Sequence, residues 1–317
     1  MILAKENRTS GSNGEPKERP LVSYITVSYN SADSIETTIA SIARCKPLFS
    51  CEHIVIDGNS DDGTEQILNR YSDSIDELVR EPDHGIYDAM NKGLRLAKGK
   101  YICFINADDC VIPEAACKVA KKLRGNIRRR EIVASAALAV DGNTETLWVP
   151  SALDRFLVFR CPNLCHNGVY AHRSLFERVG GFDASLKIAA DSDWIIRAIR
   201  AGAKLKVLST PTLYYSIGGA SSDVGTHARE MLRIAEKSYP LLTTDIIKSL
   251  FYHLFAWQER RHLFTDHPTY GLADAIKEAN GFYPELSYKR YLLNRMDRSL
   301  ATKAYGKLKH SVWPGDQ

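Results

Sequence analysis

The sequence predicts an α/β fold with a mostly parallel central sheet flanked by helices and a helical C-terminal extension. Three observations indicate this class: strand-like and helical segments alternate, the strands are short apolar runs, and turns rich in Asn, Asp and Gly follow them. The 317 residues can hold one large domain with an appendage. We therefore predict a disordered tail at residues 1–20, a main domain at 21–227 and a helical segment at 228–317.

The first two predicted strands each end in a polar turn. Tyr24–Asn30 is a β-branched, apolar run, and a helix with a polar start follows over Ser31–Ala43. His53–Asp57 forms the second strand, and its Gly/Asn/Ser/Asp turn leads to a helix over Glu65–Tyr71. Strand, turn, helix and strand in this order are typical of parallel βαβ units.

The run from Asp83 to Asp109 carries the most informative pattern. A helix is predicted over residues 86–98, with Gly99 as its stop, and a buried strand over Tyr101–Ile105. The apolar positions at helical spacing are Ile86, Ala89, Met90, Leu94 and Ala97.

Two acids, Asp108 and Asp109, follow that strand directly. In open α/β sheets, ligands bind just outside the carboxyl ends of the strands. Acidic side chains in such a place are costly unless a cation pairs with them. We therefore expect Asp108, with Asp109 beside it, to bind a divalent metal that holds a diphosphate. The alternative makes both acids part of the cap of a helix that begins near Pro113, which explains one acid but not two.

The composition excludes several classes of protein. A net charge of +4 gives no strong nucleic-acid footprint, so no nucleic-acid partner is expected. The chain has no apolar run of the roughly 18 residues that a membrane span needs, and residues 1–20 lack the apolar core of a secretory signal. The odd count of 7 cysteines fits free thiols in a reducing cytoplasm. The spacing of Cys161, Cys165 and His166 matches no common zinc module.

Four ordered blocks of the sequence resemble the family 2 glycosyltransferases. These are inverting enzymes of the GT-A fold, in which the central sheet is Rossmann-like. The blocks are VSYN (Val27–Asn30), VIDGNSDDGT (Val55–Thr64), the GIYDAMNKG…FINADD run (Gly85–Asp109) and GGFDASLKIAADSDW (Gly180–Trp194). The chain is most similar to the bacterial subgroup that builds capsule, exopolysaccharide or lipopolysaccharide chains.

The resemblance implies a nucleotide-diphosphate sugar as donor, with a UDP-sugar favoured. Asp57 would accept a hydrogen bond from the N–H of a uracil-type base, and Tyr29 would belong to the neighbouring wall. The other donor-binding residues would be Val27, Asn30, Asn59, Asn91, Asn106, Ala107 and Asp108. Without the resemblance, Asp57 and Asp61 could equally cap a turn and the next helix.

The resemblance also implies Mn²⁺ or Mg²⁺ as cofactor, since Asp108 corresponds to the last carboxylate of the family's Asp-x-Asp motif. Two residues depart from the family's pattern. Asn106 stands where many members carry Asp, although its carbonyl oxygen can still bind a metal. Met90 stands where many carry Arg, and Lys92 or Arg95 is the candidate replacement.

The implied general base is Asp191, at the start of a helix that runs to about Ala201. In similar enzymes the second residue of a Glu-Asp-x-Asp block removes the proton of the acceptor; here alanines replace the Glu. Asp193 diverges from Asp191 on the helix and is expected to be structural. His166 and Asn167 would lie on the acceptor and diphosphate side, although a structural histidine is a nearly equal alternative.

The C-terminal segment is predicted to be helical over residues 228–262, with one apolar face. Candidate partners of this face are the main domain, a second copy in a homodimer, and the inner face of the bacterial inner membrane, where lipid-linked acceptors lie. In the preceding loop, Gly218 and Gly219 would allow closure over the donor. His227 is a further candidate contact of the diphosphate or metal.

The main hypothesis is thus a metal-assisted inverting glycosyltransferase that acts on a glycan or a lipid-linked glycan. The alternative is a nucleotide-sugar-binding scaffold without transferase activity, which Asn106 and Met90 favour but Asp108 and Asp191 do not. A dinucleotide enzyme is excluded, because no Gly-x-Gly-x-x-Gly motif follows the first strand.

Overall fold

The computed structural model describes residues 19–125, 130–142, 144–150, 164–217, 223–240, 243, 244 and 247. Within these residues strands and helices mix as predicted, so the α/β class is confirmed. The predicted tail up to residue 18, the glycine loop at 218–222, Cys161 and most of the segment after residue 240 lie outside the described residues.

Strands and helices alternate along the first half of the chain. The strands are β1 (Val22–Ser28), β2 (Cys51–Asp57), β3 (Glu77–Arg80), β4 (Tyr101–Asn106), β5 (Cys110–Val111), β6 (Glu131–Asp141), β7 (Thr144–Trp148), β8 (Val169–His172) and β9 (Lys204–Ser216). The helices are α1 (Ile35–Ala43), α2 (Thr64–Arg70), α3 (Ile86–Leu96), α4 (Pro113–Gly125), α5 (Arg173–Val179), α6 (Ala190–Arg200) and α7 (Val224–Ser238).

The strands form one sheet in the order β3-β2-β1-β4-β8-β6-β9-β5, with β7 paired to β6. The first four strands of this order are parallel, as the βαβ pattern predicted. Strand β8 is antiparallel to both β4 and β6, and β5 is antiparallel to β9. Among the described strands, parallel pairing returns only between β6 and β9, so the second half of the sheet is mixed.

The chain divides into two compact units. The first unit contains the whole sheet and comprises the described residues up to 150 together with Leu164–Ser185 and Ala201–Ile217. The second unit contains Leu186–Arg200 and the described residues from 223 onward, and therefore holds α6 and α7. Helix α7 runs through residue 228, where the sequence predicted that the helical C-terminal segment begins. None of the described helices is long and apolar enough to cross a membrane.

The apolar face of α3 differs from the predicted one. The buried residues of this helix are Tyr87, Ala89, Met90 and Gly93, whereas Ile86 is exposed. The helix packs on β1 and β2 through Gly93, where an added Cβ would lie 2.4 Å from Ile25 Cγ2. A glycine is therefore required for the close approach of helix and sheet, and sequence periodicity gave it no weight.

Replacing Gly93 with Ala should destabilise the protein. Alanine favours a helix interior by about 1 kcal/mol over glycine, but forcing a methyl group against Ile25 should cost about 1–3 kcal/mol. Urea unfolding measures the net loss. The control is Gly125→Ala, because an added Cβ meets no atom of the described residues within 4 Å there. Equal stability of the two variants would show that α3 does not pack as closely on β1 as described.

Candidate functional site

Three parallel strands of the first unit end side by side and bring the predicted donor residues together. Ser28 at the end of β1 pairs with Asp57 at the end of β2. On the other side of β1, Val27 pairs with Asn106 at the end of β4. Residues that are 29 and 79 positions apart along the chain thus meet at one edge of the sheet, where parallel folds bind ligands.

Asp57 is fully buried, and its carboxylate lies at the centre of a hydrogen-bond network. Oδ1 accepts bonds from the hydroxyls of Ser28 and Ser60, and Oδ2 accepts from the Ser60 backbone N–H at 3.0 Å. Arg80 donates from Nε to the same Oδ2 at 3.1 Å, and it also pairs with Glu65. The carboxylate therefore holds the turn after β2 in place.

The sequence gave no reason to select Arg80. It lies at the end of β3, a four-residue strand that the hydrophobic pattern did not predict. Its partnership with Asp57 follows from the pairing of β2 with β3, in which Asp57 and Arg80 occupy the same register position. In the sequence, only its place after Leu-Val in a short apolar run could have suggested that Arg80 lies at a strand end, and such a pattern is weak evidence.

The loops after β1 and β2 are joined by hydrogen bonds. Asn30 donates from its backbone N–H to Ser60 Oγ at 2.9 Å, and its side-chain Oδ1 accepts from the backbone N–H of Asp61 at 3.1 Å. Asn30 and Asn59 both adopt left-handed backbone conformations, with φ of 49° and 66°. Asparagine tolerates this conformation better than other non-glycine residues, so the sequence suits these sharp turns.

An exposed aromatic ring stands beside these loops. Tyr29 is 67% exposed, and its ring lies so close to Gly58 that an added Cβ there would be 3.1 Å from Tyr29 Cδ2. The same Cβ would be 2.7 Å from Oδ2 of Asp83. Asn59, next to Gly58, is exposed as well. An open ring with polar neighbours is suited to stack on a flat ligand such as a nucleotide base.

The acids after β4 occupy very different surroundings. Asp108 is exposed, whereas Asp109 is 1% exposed. Asp109 accepts a hydrogen bond from the side-chain amide of Asn167 and another from the backbone N–H of Ser216 at 3.0 Å. Burial, and then the nearby Asp108 charge, raise the pKa of Asp109 well above 3.8. Desolvation by surrounding atoms also raises the pKa of Asp108.

The structure does not present Asp109 to an ion, contrary to the expectation that both acids bind metal. Its oxygens serve Asn167 and Ser216, and the Ser216 hydroxyl in turn donates to the backbone carbonyl of Asp108 at 2.8 Å. The Thr38 hydroxyl in α1 lies 2.9 Å from the backbone carbonyl of Ala107 and 2.7 Å from that of Asp109, so the two carbonyls share its one hydrogen. Asp109 therefore fixes the turn that carries Asp108, and Ala107 contributes its backbone to that turn.

Two carbonyl oxygens near this turn are buried and have no hydrogen-bond partner among the described residues, namely Oδ1 of Asn106 and Oδ1 of Asn167. Such an atom normally costs about 1–3 kcal/mol, so it indicates a place for a ligand. The exposed Asp108 carboxylate and the Asn106 oxygen are hard donors of the type that Mg²⁺ and Mn²⁺ prefer. The residues present thus fit a divalent ion. Within the described part of the chain, no group of three or more His, Cys, Asp or Glu is arranged to hold a metal unaided.

His166 and Asn167 form a short turn of 3₁₀ helix before β8. The His166 ring stacks on Phe104 of β4, with centroids 5.5 Å apart, and meets Phe182 edge-on at 5.9 Å. Asn167 is buried against Asp109, as described above. The structure therefore brings Asn167 to the end of β4, while the surroundings of His166 are largely aromatic.

The helical run before β4 has a mainly structural role. Met90, which stands where many similar enzymes have Arg, is buried in the face that packs on the sheet. The Asn91 amide pairs with both backbone polar groups of Phe182, each at 2.9 Å, so its contact with a nucleotide stays a prediction. Lys92 donates to the Pro82 carbonyl and pairs with Glu81.

The predicted base lies in the second unit. Asp191 is in the first turn of α6, is partly exposed, and accepts the Ser192 backbone N–H at 2.7 Å. Asp193 is buried and pairs with Arg197 at 2.7 Å, so it has the structural role expected of it. His227 of α7 interacts electrostatically with Asp191; burial lowers the pKa of His227, and the Asp191 charge opposes that effect.

Comparisons with known proteins identify related sequences. Residues 23–168 match the model of the family described as Glycosyl transferase family 2. An uncharacterised glycosyltransferase of Mycobacterium tuberculosis is 32% identical over 56% of this chain and 69% of its own length. A PGL/p-HBAD biosynthesis glycosyltransferase of Mycobacterium bovis is 30% identical over the same shares. The putative teichuronic acid biosynthesis glycosyltransferase TuaG of Bacillus subtilis is 42% identical, over 29% of this chain and 37% of TuaG.

Solved structures share the architecture. Staphylococcus aureus TarS in complex with UDP-GlcNAc matches with a TM-score of 0.57 and 17% identity, over 92% of this chain and 81% of that chain. A mannosyltransferase from Pyrobaculum calidifontis, in complex with GDP-Man and Mn²⁺, matches with a TM-score of 0.53 and 19% identity, over 94% and 86%. At such low identity these likenesses bear on the fold alone, and they confirm the predicted GT-A architecture.

Replacing Arg80 with Met should destabilise the protein by about 3–5 kcal/mol, because the buried Asp57 charge would lose its cationic partner. The control is Arg70→Met, since the Arg70–Glu36 pair is exposed and should contribute at most about 1 kcal/mol. Adding Asp57→Asn to Arg80→Met should restore part of the loss. Denaturant unfolding of the wild type and the three variants measures these effects, and equal losses for Arg80→Met and Arg70→Met would contradict the assignment.

Proposed function

Because the chain belongs to glycosyl transferase family 2 and is therefore a glycosyltransferase, we propose that it moves a sugar from a nucleotide-diphosphate sugar to a hydroxyl of a glycan or lipid-linked glycan, with inversion at the anomeric carbon. The observation that carries the proposal is the meeting of Val27, Asp57 and Asn106 at one edge of the sheet, with the exposed Asp108 on the turn that follows.

The favoured donor is a UDP-sugar, whose base would lie against the Tyr29 ring and the loop that carries Asn59. Asp57 shapes that loop. The resemblance implies that a uracil N–H donates a hydrogen bond directly to Asp57. To accept it, the Asp57 carboxylate must lose its bond with Ser28 or with Ser60. The bond with Ser28 is the longest of these, at 3.3 Å. TarS was solved with UDP-GlcNAc and the Pyrobaculum enzyme with GDP-Man, which supports testing both nucleotides.

The side chains that would hold Mn²⁺ or Mg²⁺ are those of Asp108 and Asn106. Bound there, such an ion supplies positive charge against the departing nucleoside diphosphate. A protein can hold this type of ion with one or two oxygens, because substrate phosphates and water complete its coordination. Asn167, with its unpaired Oδ1, lies near enough to the same turn to position the diphosphate or the sugar.

The residue proposed to accept the proton of the acceptor hydroxyl is Asp191. As the proton moves to its carboxylate, the hydroxyl oxygen forms a bond to the anomeric carbon, and the bond from that carbon to the diphosphate oxygen breaks on the opposite face. The alternative acid, Asp193, is engaged by Arg197. Support for Asp191 comes from its place in the family's last sequence block and from its partial exposure.

The acceptor is proposed to be a growing glycan or glycolipid at the inner face of the bacterial inner membrane, reached from the cytoplasm. The names of two relatives, which refer to PGL/p-HBAD and teichuronic acid biosynthesis, support acceptors of this class. Homodimer formation and membrane contact by the C-terminal segment stay predictions, because most of that segment lies outside the described residues.

Asp108→Ala should abolish the metal dependence of donor binding. We expect wild-type protein to bind one member of a panel of UDP-, GDP- and dTDP-sugars at least tenfold more tightly with Mn²⁺ than with EDTA, measured by calorimetry. The variant should bind equally weakly in both conditions. Asp141→Ala, at an exposed aspartate on the β6–β7 hairpin, is the control and should behave as wild type. Metal-independent binding by wild type would exclude the ion site.

Asp191→Asn should leave donor binding unchanged and reduce turnover. The loss expected for a missing general base is about 10²–10⁴-fold in kcat. Release of the nucleoside diphosphate, with a glycan or water as acceptor, measures turnover, and calorimetry measures binding. Product analysis by NMR should show inversion. Full turnover by Asp191→Asn would remove this residue from the mechanism.

A further inference from the structure

A buried carboxylate of α7 binds the segment that leads into α6. Glu230 is 6% exposed, and its two oxygens accept three consecutive backbone N–H groups. Oε1 accepts from Lys187 at 2.6 Å, and Oε2 accepts from Ile188 and Ala189, each at 2.9 Å. All of these residues belong to the second unit, so the contact is internal to it.

The three amides lie directly before the first turn of α6. The Asp193 N–H bonds to the Ala189 carbonyl, so the helical hydrogen-bond ladder begins at residue 189. The amides that lack partners within the helix at this start are those of residue 189 and of the first turn, so Glu230 binds one of them, at Ala189. The amides of Lys187 and Ile188 belong to the chain that enters the helix. Glu230 thus binds the backbone before α6 from another helix.

The charge of Glu230 is satisfied by these amides. The interactions described for its carboxylate are the three N–H bonds and an electrostatic interaction with His227, which lies one turn earlier on α7. Short bonds from backbone N–H groups to a carboxylate are roughly twice as strong as neutral ones. Glu230 and its amides thus form a firm connection between α7 and the start of α6.

We propose that Glu230 is a positioning residue for Asp191, acting by fixing the Lys187–Ala189 backbone from which the Asp191 side chain is held. The inference rests on the proposed function of Asp191 and adds a residue that the family's sequence blocks do not contain. Asp191 lies two residues after Ala189, so a rotation of these peptides moves its carboxylate directly. Misplacement by about 1 Å can cost 10²-fold in rate.

The test compares Glu230→Gln with Glu236→Gln in the full chain. Glu236 is on the same helix, and the bond described for its side chain, from Thr244, is exposed, so it is a matched control. Glutamine keeps one acceptor oxygen and replaces the other with a donor that repels N–H groups. We expect Glu230→Gln to exchange the amide hydrogens of residues 187–189 about tenfold faster. It should lower kcat about tenfold and leave the KM of the donor within twofold. Glu236→Gln should change neither the amide exchange of residues 187–189 nor kcat.

Turnover is measured as nucleoside diphosphate release, with water as acceptor, from the panel nucleotide-sugar that wild type hydrolyses. The double variant Asp191→Asn/Glu230→Gln shows whether Glu230 acts through Asp191, in which case it should be no slower than Asp191→Asn alone. Equal fold losses in both backgrounds would overturn the inference, and so would faster exchange with an unchanged kcat. If Glu230→Gln does not fold, Glu230→Asp, which shortens the same carboxylate by one methylene, should show the same pattern. Full turnover by Asp191→Asn would instead overturn the proposed function, and the inference with it.

Discussion

The candidate site of this protein depends on buried carboxylates that must be surrounded by hydrogen-bond donors. An unpaired carboxylate in the interior costs several kcal/mol, so each one draws donors from separate parts of the chain. Asp57 gathers the ends of β1 and β3 and the turn after β2. Asp109 joins the turn after β4 to the end of β9 and to Asn167. Breaking either set would leave a buried carboxylate without donors, so these bonds oppose independent movement of the loops that they join.

This arrangement separates the groups that build the site from those that are available to a ligand. The enclosed acids, Asp57 and Asp109, have their oxygens engaged by the protein. In the part of the chain that the structure describes, the Tyr29 ring and the Asp108 carboxylate are exposed, and the Asn106 oxygen has no hydrogen-bond partner. Preorganisation of this kind allows charge that develops in a reaction to be stabilised without rearrangement of the protein. The second unit follows the same pattern, since an enclosed glutamate supports the backbone beside a more exposed aspartate.

The departures from the family's pattern also have structural explanations. Met90 is part of the apolar face of α3, so a charged side chain at this position would be buried against the sheet. Asn106 keeps an oxygen at the end of β4 while removing one negative charge from a place where Asp108 and Asp109 already repel each other. Neither change supports a scaffold without activity, and membership of the family supports an enzyme.

The sequence by itself determined the α/β class, the first two βα units, helix α3 and strand β4 to within a few residues, and the strand ends near which Asp57, Asn106 and Asp108 lie. Alternating apolar segments and turn residues are local signals, so a single sequence can show them. The tertiary structure alone decided that Asp108 is exposed and Asp109 buried, and that Arg80 donates to Asp57. It also decided that strands β6 to β9 complete the sheet. These outcomes depend on strand register and on donors more than 20 residues away, which no local pattern contains.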